Sequence, residues 1–346
     1  MKYWNTLVCL LAAGTGLAGC GTTSTPALAP YASAYDATYA SVVVDAISKH
    51  LVNPGDKLEG GAVTSAEAFG GPSIVSLKAP AKVEIEKTAD AYILRYAGEE
   101  VTFTATDLQT GGFYEQKMND SSGTPRTIGY LFALVAGTTP DALSAPDSAM
   151  VPIGFGVRTN SKGTVTADDA DGFSNGFGFV GLETAPSDMP KTGAAVYKGY
   201  GRIDAYNKQV DFSVAGNENR RVYSGDSTLE ADFGAGTVSG RVDLSEARRR
   251  ITDGSGGLSE TRTDISGQGA SVLLDSAAIV QNGFASDLSL NAAAETSLAA
   301  DGISADTEAV AVGRFYGTGA GEVGAVIAGE GTSHVITGAV TGYKQP

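Results

Sequence analysis

One stretch near the C-terminal end constrains the fold most: Val310-Ala-Val-Gly-Arg-Phe-Tyr-Gly-Thr-Gly-Ala-Gly-Glu-Val-Gly-Ala-Val-Ile-Ala-Gly329. Two apolar runs flank a small-residue turn, Gly317 to Gly321. Successive side chains of a strand point to opposite faces, so valines and aromatics alternating with glycine or small residues leave one face to bury. The pattern predicts two antiparallel strands joined by a tight glycine-rich connection. Glycine inside a strand marks close backbone approach or sharp bending, as at the corners of a small barrel.

Composition agrees with a chain of turns and strands. Glycine contributes 46 of 346 residues, which favours many turns and short strands over long helices. A hydrophobic content of 42% against 18% charged residues is enough to bury a core, and the length fits two domains. The net charge of −15 argues against a nucleic-acid backbone or an anionic lipid surface as partner, because both require Lys and Arg.

Along the first domain, about residues 31–190, Tyr35–Leu51 is compatible with a short helix, although Val42-Val-Val44 is equally strand-like. Beyond it the signals are β. Lys82-Val-Glu-Ile-Glu-Lys87 alternates, and Tyr92–Tyr96 and Val101–Ala105 flank a turn with Gly98. Tyr130–Val135, Val151–Val157 and Asn175–Leu182 are further strand candidates. In the second domain, 191–346, strands are expected at Thr192–Gly199, Gln209–Val214 and Gly283–Leu290. Ser227–Leu244 reads as a hairpin turning at Gly234-Ala-Gly236, and Thr263–Gly269 with Ala270–Leu274 as another pair. Ser333–Val340 would close the sheet. About eight strands fit, and at that number side chains fill the lumen and leave no pore. A membrane-spanning barrel would instead show longer strands, an apolar lipid face and aromatic girdles, and aromatic content here is only 8%.

Three motifs in order carry a family resemblance: Met189-Pro-Lys-Thr-Gly193, Asp232-Phe-Gly through Val238-Ser-Gly240, and Phe315-Tyr-Gly through Glu322-Val-Gly324. Together they resemble the C-terminal barrel of the transferrin-binding protein B-like surface lipoproteins. Ala325 departs from the pattern, where the family often has glycine. The resemblance covers the last part of the chain well and the preceding domain weakly. It implies an all-β fold, with a β-rich handle-like N-terminal domain followed by an eight-stranded antiparallel β-barrel.

The N-terminus reads as an address. Lys2 precedes the short apolar run Leu7–Ala13, and Leu17-Ala-Gly-Cys20 is similar to the bacterial lipoprotein box. Residues 1–19 are then a signal peptide and Cys20 the lipidated residue, with Gly21 rather than Asp after it. Cleavage removes Lys2 and no acid, taking the charge from −15 to −16. It also removes Cys9, leaving no free thiol for thiol chemistry. Residues 20–30 form a polar, Pro-containing tether that reaches on the order of 30 Å when extended.

Motifs that point to chemistry lack their context. Gly172-Phe-Ser174-Asn-Gly176 matches the nucleophile elbow, but the residues before it are polar and those after it are strand-like. Gly176–Gly181 matches a dinucleotide-binding pattern with no helix to follow. Asp168-Asp-Ala-Asp171 has oxygens for Ca²⁺ but not the loop spacing, and a solvated acidic turn is expected. His50 and His334 stand far apart, and His334 in its alternating run reads as structural rather than as a haem ligand. No cofactor, metal or catalytic residue is therefore assigned.

The basic clusters Arg220-Arg221 and Arg248-Arg249-Arg250 are expected in exposed connections. With Tyr223 and Tyr206 nearby, Arg220, Arg221, Tyr223, Arg248, Arg249 and Arg250 are the candidate partner-binding residues, since Arg and Tyr are favoured at interface hot spots. The expected protein is a non-enzymatic outer-membrane lipoprotein that binds a protein or an iron- or haem-bearing ligand through loops. By resemblance it would also engage an outer-membrane receptor and a surface-lipoprotein assembly modulator. The alternative is a structural or adhesive envelope protein with no soluble ligand.

Overall fold

Two antiparallel sheets make up most of the residues that the computed structural model describes, namely 47, 49–68, 75–109, 113–119, 121–133, 148–159, 172–208, 210, 214–252, 258–303 and 306–346. Cys20, the tether, most of Tyr35–Leu51 and the acidic turn at Asp168–Asp171 lie outside them.

The first sheet holds β1 (Lys57–Ala68), β2 (Val75–Lys87), β3 (Ala91–Tyr96), β4 (Glu99–Thr104), β5 (Tyr114–Asn119), β6 (Pro125–Ala133), β7 (Met150–Thr159) and β8 (Gly172–Gly181). Its order is β4-β3-β2-β1-β8-β7-β6-β5. The β3–β4 hairpin turns through Ala97 and Gly98, both at positive φ (50° and 88°), the geometry a two-residue hairpin loop requires. The sheet curls until its edges meet: Leu108 bridges Tyr114, and the Phe103 and Tyr114 rings lie 5.8 Å apart. The enclosed core includes Leu58, Val83, Ile85, Leu94, Ile153 and Phe155. Charged residues cover the outside, where Lys57 and Arg95 bind Glu84 at 2.9 Å and 2.7 Å.

The second sheet holds β9 (Ala194–Asn207), β10 (Glu218–Asp232), β11 (Thr237–Thr252), β12 (Leu258–Asp264), β13 (Ser271–Ala278), β14 (Gly283–Leu290), β15 (Glu308–Tyr316), β16 (Glu322–Glu330) and β17 (His334–Lys344). It runs β10-β9-β17-β16-β15-β14-β13-β11, and β10 pairs with β11 to close an eight-stranded barrel. The helix α1 (Ala292–Ala300) joins β14 to β15.

The long hairpins fall where alternation places them. Asp232 pairs with Thr237 across the turn at 233–236, and Tyr316 pairs with Glu322 across 317–321. One expectation is corrected. Thr263–Gly269 and Ala270–Leu274 do not pair with each other: β12 and β13 lie end to end along β11, one beside Glu246–Thr252 and the other beside Thr237–Asp243. The polar, charged alternation of β12 leaves it no lumen-facing apolar row, so it lies outside the eight-strand closure. The strand expected at Gln209–Val214 falls largely on residues outside those described, while the strand expected at Thr192–Gly199 is β9, which continues to Asn207.

Barrel alternation sends Tyr197, Ile203, Tyr223, Leu229, Val242, Phe284, Phe315, Val323 and Ile336 into the lumen, which is a packed apolar core. Phe315 is its hub, with Tyr197, Phe233 and Phe284 at ring-centroid distances of 5.8, 5.8 and 6.0 Å. The opposite face carries exposed Lys198, Asp226, Glu230 and Arg241. An apolar lumen and a charged wall are the reverse of a membrane-spanning barrel, whose lipid-facing band is apolar. Among the described residues no helix is long and apolar enough to cross a membrane.

Candidate interaction surface

The signature hairpin has a physical reason at almost every position. A Cβ on Gly313 would stand 2.3 Å from the Phe284 ring, so glycine here lets that ring lie flat on the strand. Arg314 points outward to Glu183 at 2.9 Å. Phe315 fills the core, Tyr316 faces the first domain, and Gly317 turns the chain at φ 73°. Glu322 and Gly324 then form the joint with the first domain.

That joint has an apolar and a polar part. Val63, Met150, Phe177 and Phe179 of the first sheet pack on Tyr316, Val326, Ala328 and Ala339 of the barrel wall. At Gly324 a Cβ would meet Met150 Sδ at 2.5 Å and the Phe179 ring at 2.8 Å, so the missing side chain sets how closely the domains approach. Glu322 is buried and accepts hydrogen bonds from the Ala149 N–H (2.8 Å), the Met150 N–H (3.1 Å) and the Ser148 hydroxyl (2.9 Å). His50 Nε2 lies 2.7 Å from the Ser148 carbonyl oxygen. Burial pushes the Glu322 carboxyl above its usual range, against the downward pull of those three donors.

The arginine clusters stand in strands, which corrects their expected place in exposed connections. Arg220 pairs with Arg250, Arg221 with Arg249 and Val222 with Arg248 across β10 and β11. Period-two alternation then sorts the six candidate residues onto two faces. On the outer wall Arg220 is fully buried, bonded to Asp204 at 3.0 Å and to the Tyr206 hydroxyl at 2.8 Å. Burial, reinforced by Arg250, pushes its guanidinium well below its ordinary value. Asp204 is also held by Arg202 at 2.8 Å, whose guanidinium lies 5.1 Å from the Phe177 ring centroid of the first domain. Arg250 is nearly buried and meets Glu260 of β12 at 2.7 Å, while Arg248 meets Glu246.

On the lumen-facing side, at the barrel mouth, Arg221 is bonded to Glu218 and Asp301, and Tyr223 donates to Asp301 at 2.5 Å. Arg249 also reaches Glu218, and with 50% of its side chain exposed it is the most open of the five arginines. The structure thus brings the six candidates to one corner of the barrel, but only part of that corner faces solvent.

The other singled-out motifs lose their chemical reading. Gly172–Gly176 and Gly176–Gly181 both lie within β8, paired to β1 and β7, with neither a strand-to-helix elbow nor a following helix. His334 begins β17, buried, with Nδ1 2.8 Å from the Ser333 hydroxyl. Among the described residues no group of His, Cys, Asp and Glu is placed to hold a metal ion.

Sequence reasoning missed three residues that organise the surface: Glu322 as the joint, Asp204 as the anchor of Arg202 and Arg220, and Asp301 at the end of α1. The first two carried a readable signal, since Arg202, Asp204 and Tyr206 share one face at period two and Glu322 opens a strand directly after a turn.

Residues 189–344 match the family described as the C-lobe and N-lobe beta barrels of Tf-binding protein B. Among solved structures, a transferrin binding protein B double mutant from Haemophilus parasuis Hp5 is 14% identical, with a TM-score of 0.42 over 84% of this chain and 45% of that one. The N-lobe domain of lactoferrin binding protein B from Moraxella bovis is 14% identical, with a TM-score of 0.32 over 67% of this chain and 92% of that one. Isotype 1 transferrin binding protein B from serogroup B Neisseria meningitidis is 12% identical, with a TM-score of 0.32 over 80% and 60%. The chain therefore spans about half the length of the transferrin binding proteins it matches first. No curated protein matches it in sequence. The matched residues 189–344 are those that fold into the eight-stranded barrel, which is thus similar to the barrels of transferrin-binding protein B.

Proposed function

We propose that the chain is a lipoprotein of the outer membrane, anchored through Cys20 and facing the exterior, that captures a host protein or an iron- or haem-bearing ligand. The carrying observation is the barrel itself: it matches the transferrin-binding protein B barrels over residues 189–344, and its lumen is filled by side chains. A filled lumen has no room for a small ligand, so recognition falls to loops and outer walls. Within the candidate corner, Arg249 is the side chain most available to a partner, with Arg221 and Arg248 beside it and Arg220, Arg250 and Tyr223 as support. An outer-membrane receptor that takes over the ligand and an assembly modulator that delivers the lipoprotein to the surface complete the reading.

The test is retention of defined host proteins, beginning with transferrin and lactoferrin, and of haemin on the immobilised chain. Saturable binding weakened at least severalfold by Arg249→Ser supports both the capture reading and its site. Saturable binding unchanged by that substitution moves the site elsewhere. No binding by folded, β-rich protein favours the structural envelope reading.

A further inference from the structure

The connection from β14 to β15 differs from the other barrel hairpins. It runs over 291–307, whereas β10–β11 turns in 233–236 and β16–β17 in 331–333. Its first part, Asn291 to Ile303, is a strap across the barrel mouth, fastened at both ends. Asn291 Oδ1 caps α1 by accepting from the Ala294 N–H at 2.9 Å and also accepts from the Ser271 N–H at 3.1 Å. Asn291 Nδ2 donates to the Gly269 carbonyl at 2.8 Å. At the far end Asp301 is held by Arg221 and by the Tyr223 hydroxyl, and the Gly302 carbonyl accepts from the Ser333 hydroxyl at 3.1 Å.

Between these fastenings the strap is held by one further hydrogen bond, from the Ser297 hydroxyl to Gln268 Oε1 at 2.8 Å, and by few apolar side chains. Within α1 only Ala294 is fully buried, with Ala293 and Leu298 partly packed on the core and Ile303 beyond the helix. A nine-residue helix is not stable alone in water, so α1 stays helical only while it is docked. The far fastening touches a titratable group: the Ser333 hydroxyl that holds Gly302 also contacts His334, which is buried.

We propose that the strap Asn291–Ile303 is a pH-gated stopper, swinging off the barrel mouth about Asn291 when His334 takes a proton. The charged groups facing His334 are Glu218 and Arg221 of β10 and Asp301 of the strap. Burial holds the imidazole below its ordinary value; Arg221 pushes the same way, and the two carboxylates push back without reversing it. The protonated ring therefore favours the hydrated, open form. With a closed-state pKa below the open-state value, the closed state is favoured above the open-state pKa of about 6.5 and loses ground as pH falls. Opening is local, because the rest of the barrel keeps its ladder of paired strands.

The chain's two cysteines, Cys9 and Cys20, make a thiol reporter simple. In the full-length chain in detergent, with Cys9→Ser and Cys20→Ser, thiol-labelling rates are compared for Ala294→Cys under the strap, Ala292→Cys on its exposed face and Ala325→Cys in the barrel core. Normalised to Ala292→Cys, the Ala294→Cys thiol is expected to label about tenfold faster at pH 5.5 than at pH 7.5, the factor a single group titrating near 6.5 allows. The Ala325→Cys thiol is expected to stay protected, and His334→Asn is expected to remove the pH dependence at Ala294→Cys. Equal protection at both pH values overturns the proposal. So does loss of protection at Ala325→Cys in step with Ala294→Cys, which would report global unfolding, or an unchanged pH dependence in His334→Asn.

Discussion

Glu322 Oε1 accepts a hydrogen bond from the backbone N–H of Ala149 at 2.8 Å, across the joint between the two sheets. One carboxylate at the start of a barrel strand thereby satisfies donors at the start of a strand of the first domain. Glu322→Ala leaves the Ala149 and Met150 N–H groups and the Ser148 hydroxyl without this acceptor and is expected to cost about 1–3 kcal/mol. Because the carboxyl is held above its usual value in the fold, its titratable contribution is fully present below the unfolded value and is lost as pH rises through the folded one. The stability gap between the parent and Glu322→Ala should therefore narrow from acid to neutral pH, as read by denaturant titration at several pH values. A gap that widens with pH contradicts this assignment.

Glu84 behaves with the opposite sign. Burial alone would raise its carboxyl, but the hydrogen bonds from Lys57 and Arg95 outweigh it and hold the pKa at about 2. A depressed folded value contributes stability that is present above the unfolded value and lost as pH falls towards about 2. Glu84→Gln should lower the first domain's stability at neutral pH, with the gap to the parent closing as pH falls towards about 2, measured by thermal melts from neutral to acid pH.

Gly313→Val places a branched side chain where a Cβ alone would stand 2.3 Å from the Phe284 ring. Overpacking of this kind costs about 1–3 kcal/mol. The expected result is a lower melting temperature and loosened aromatic packing in near-UV circular dichroism, with far-UV strand content retained.

Asp204→Asn removes the carboxylate held between Arg202 and Arg220, all three on the wall towards the first domain. Breaking a buried pair by removing one partner costs about 3–5 kcal/mol. The double change Asp204→Leu with Arg220→Met should recover much of that loss, because an apolar pair of similar volume avoids burying the charges. Recovery is read from denaturant midpoints of the parent and the two variants.

Strong alternation was readable wherever one face of a strand is buried. The hairpins at 227–244 and 310–329, and the turn at Ala97-Gly98, follow directly from it. Alternation was silent where both faces are polar, which is why β12 was paired with the wrong neighbour. It was misleading for the arginines: consecutive charges suggest a solvated loop, whereas in a strand they fall on two faces and one of them, Arg220, is buried against Asp204. The helix α1 went unread because it has almost no amphipathic stripe, although Asn291 followed by an alanine-rich run was a start signal.

The most direct measurement of the central claim is ligand binding at the surface of intact cells. Cells displaying the chain with Cys20, and cells displaying Cys20→Ser, are incubated with labelled transferrin, lactoferrin and haemin, before and after protease shaving. Saturable binding of one ligand that requires Cys20 and disappears on shaving is the predicted result. A surface-exposed, folded chain that binds none of them, or binding that survives both treatments, contradicts the account.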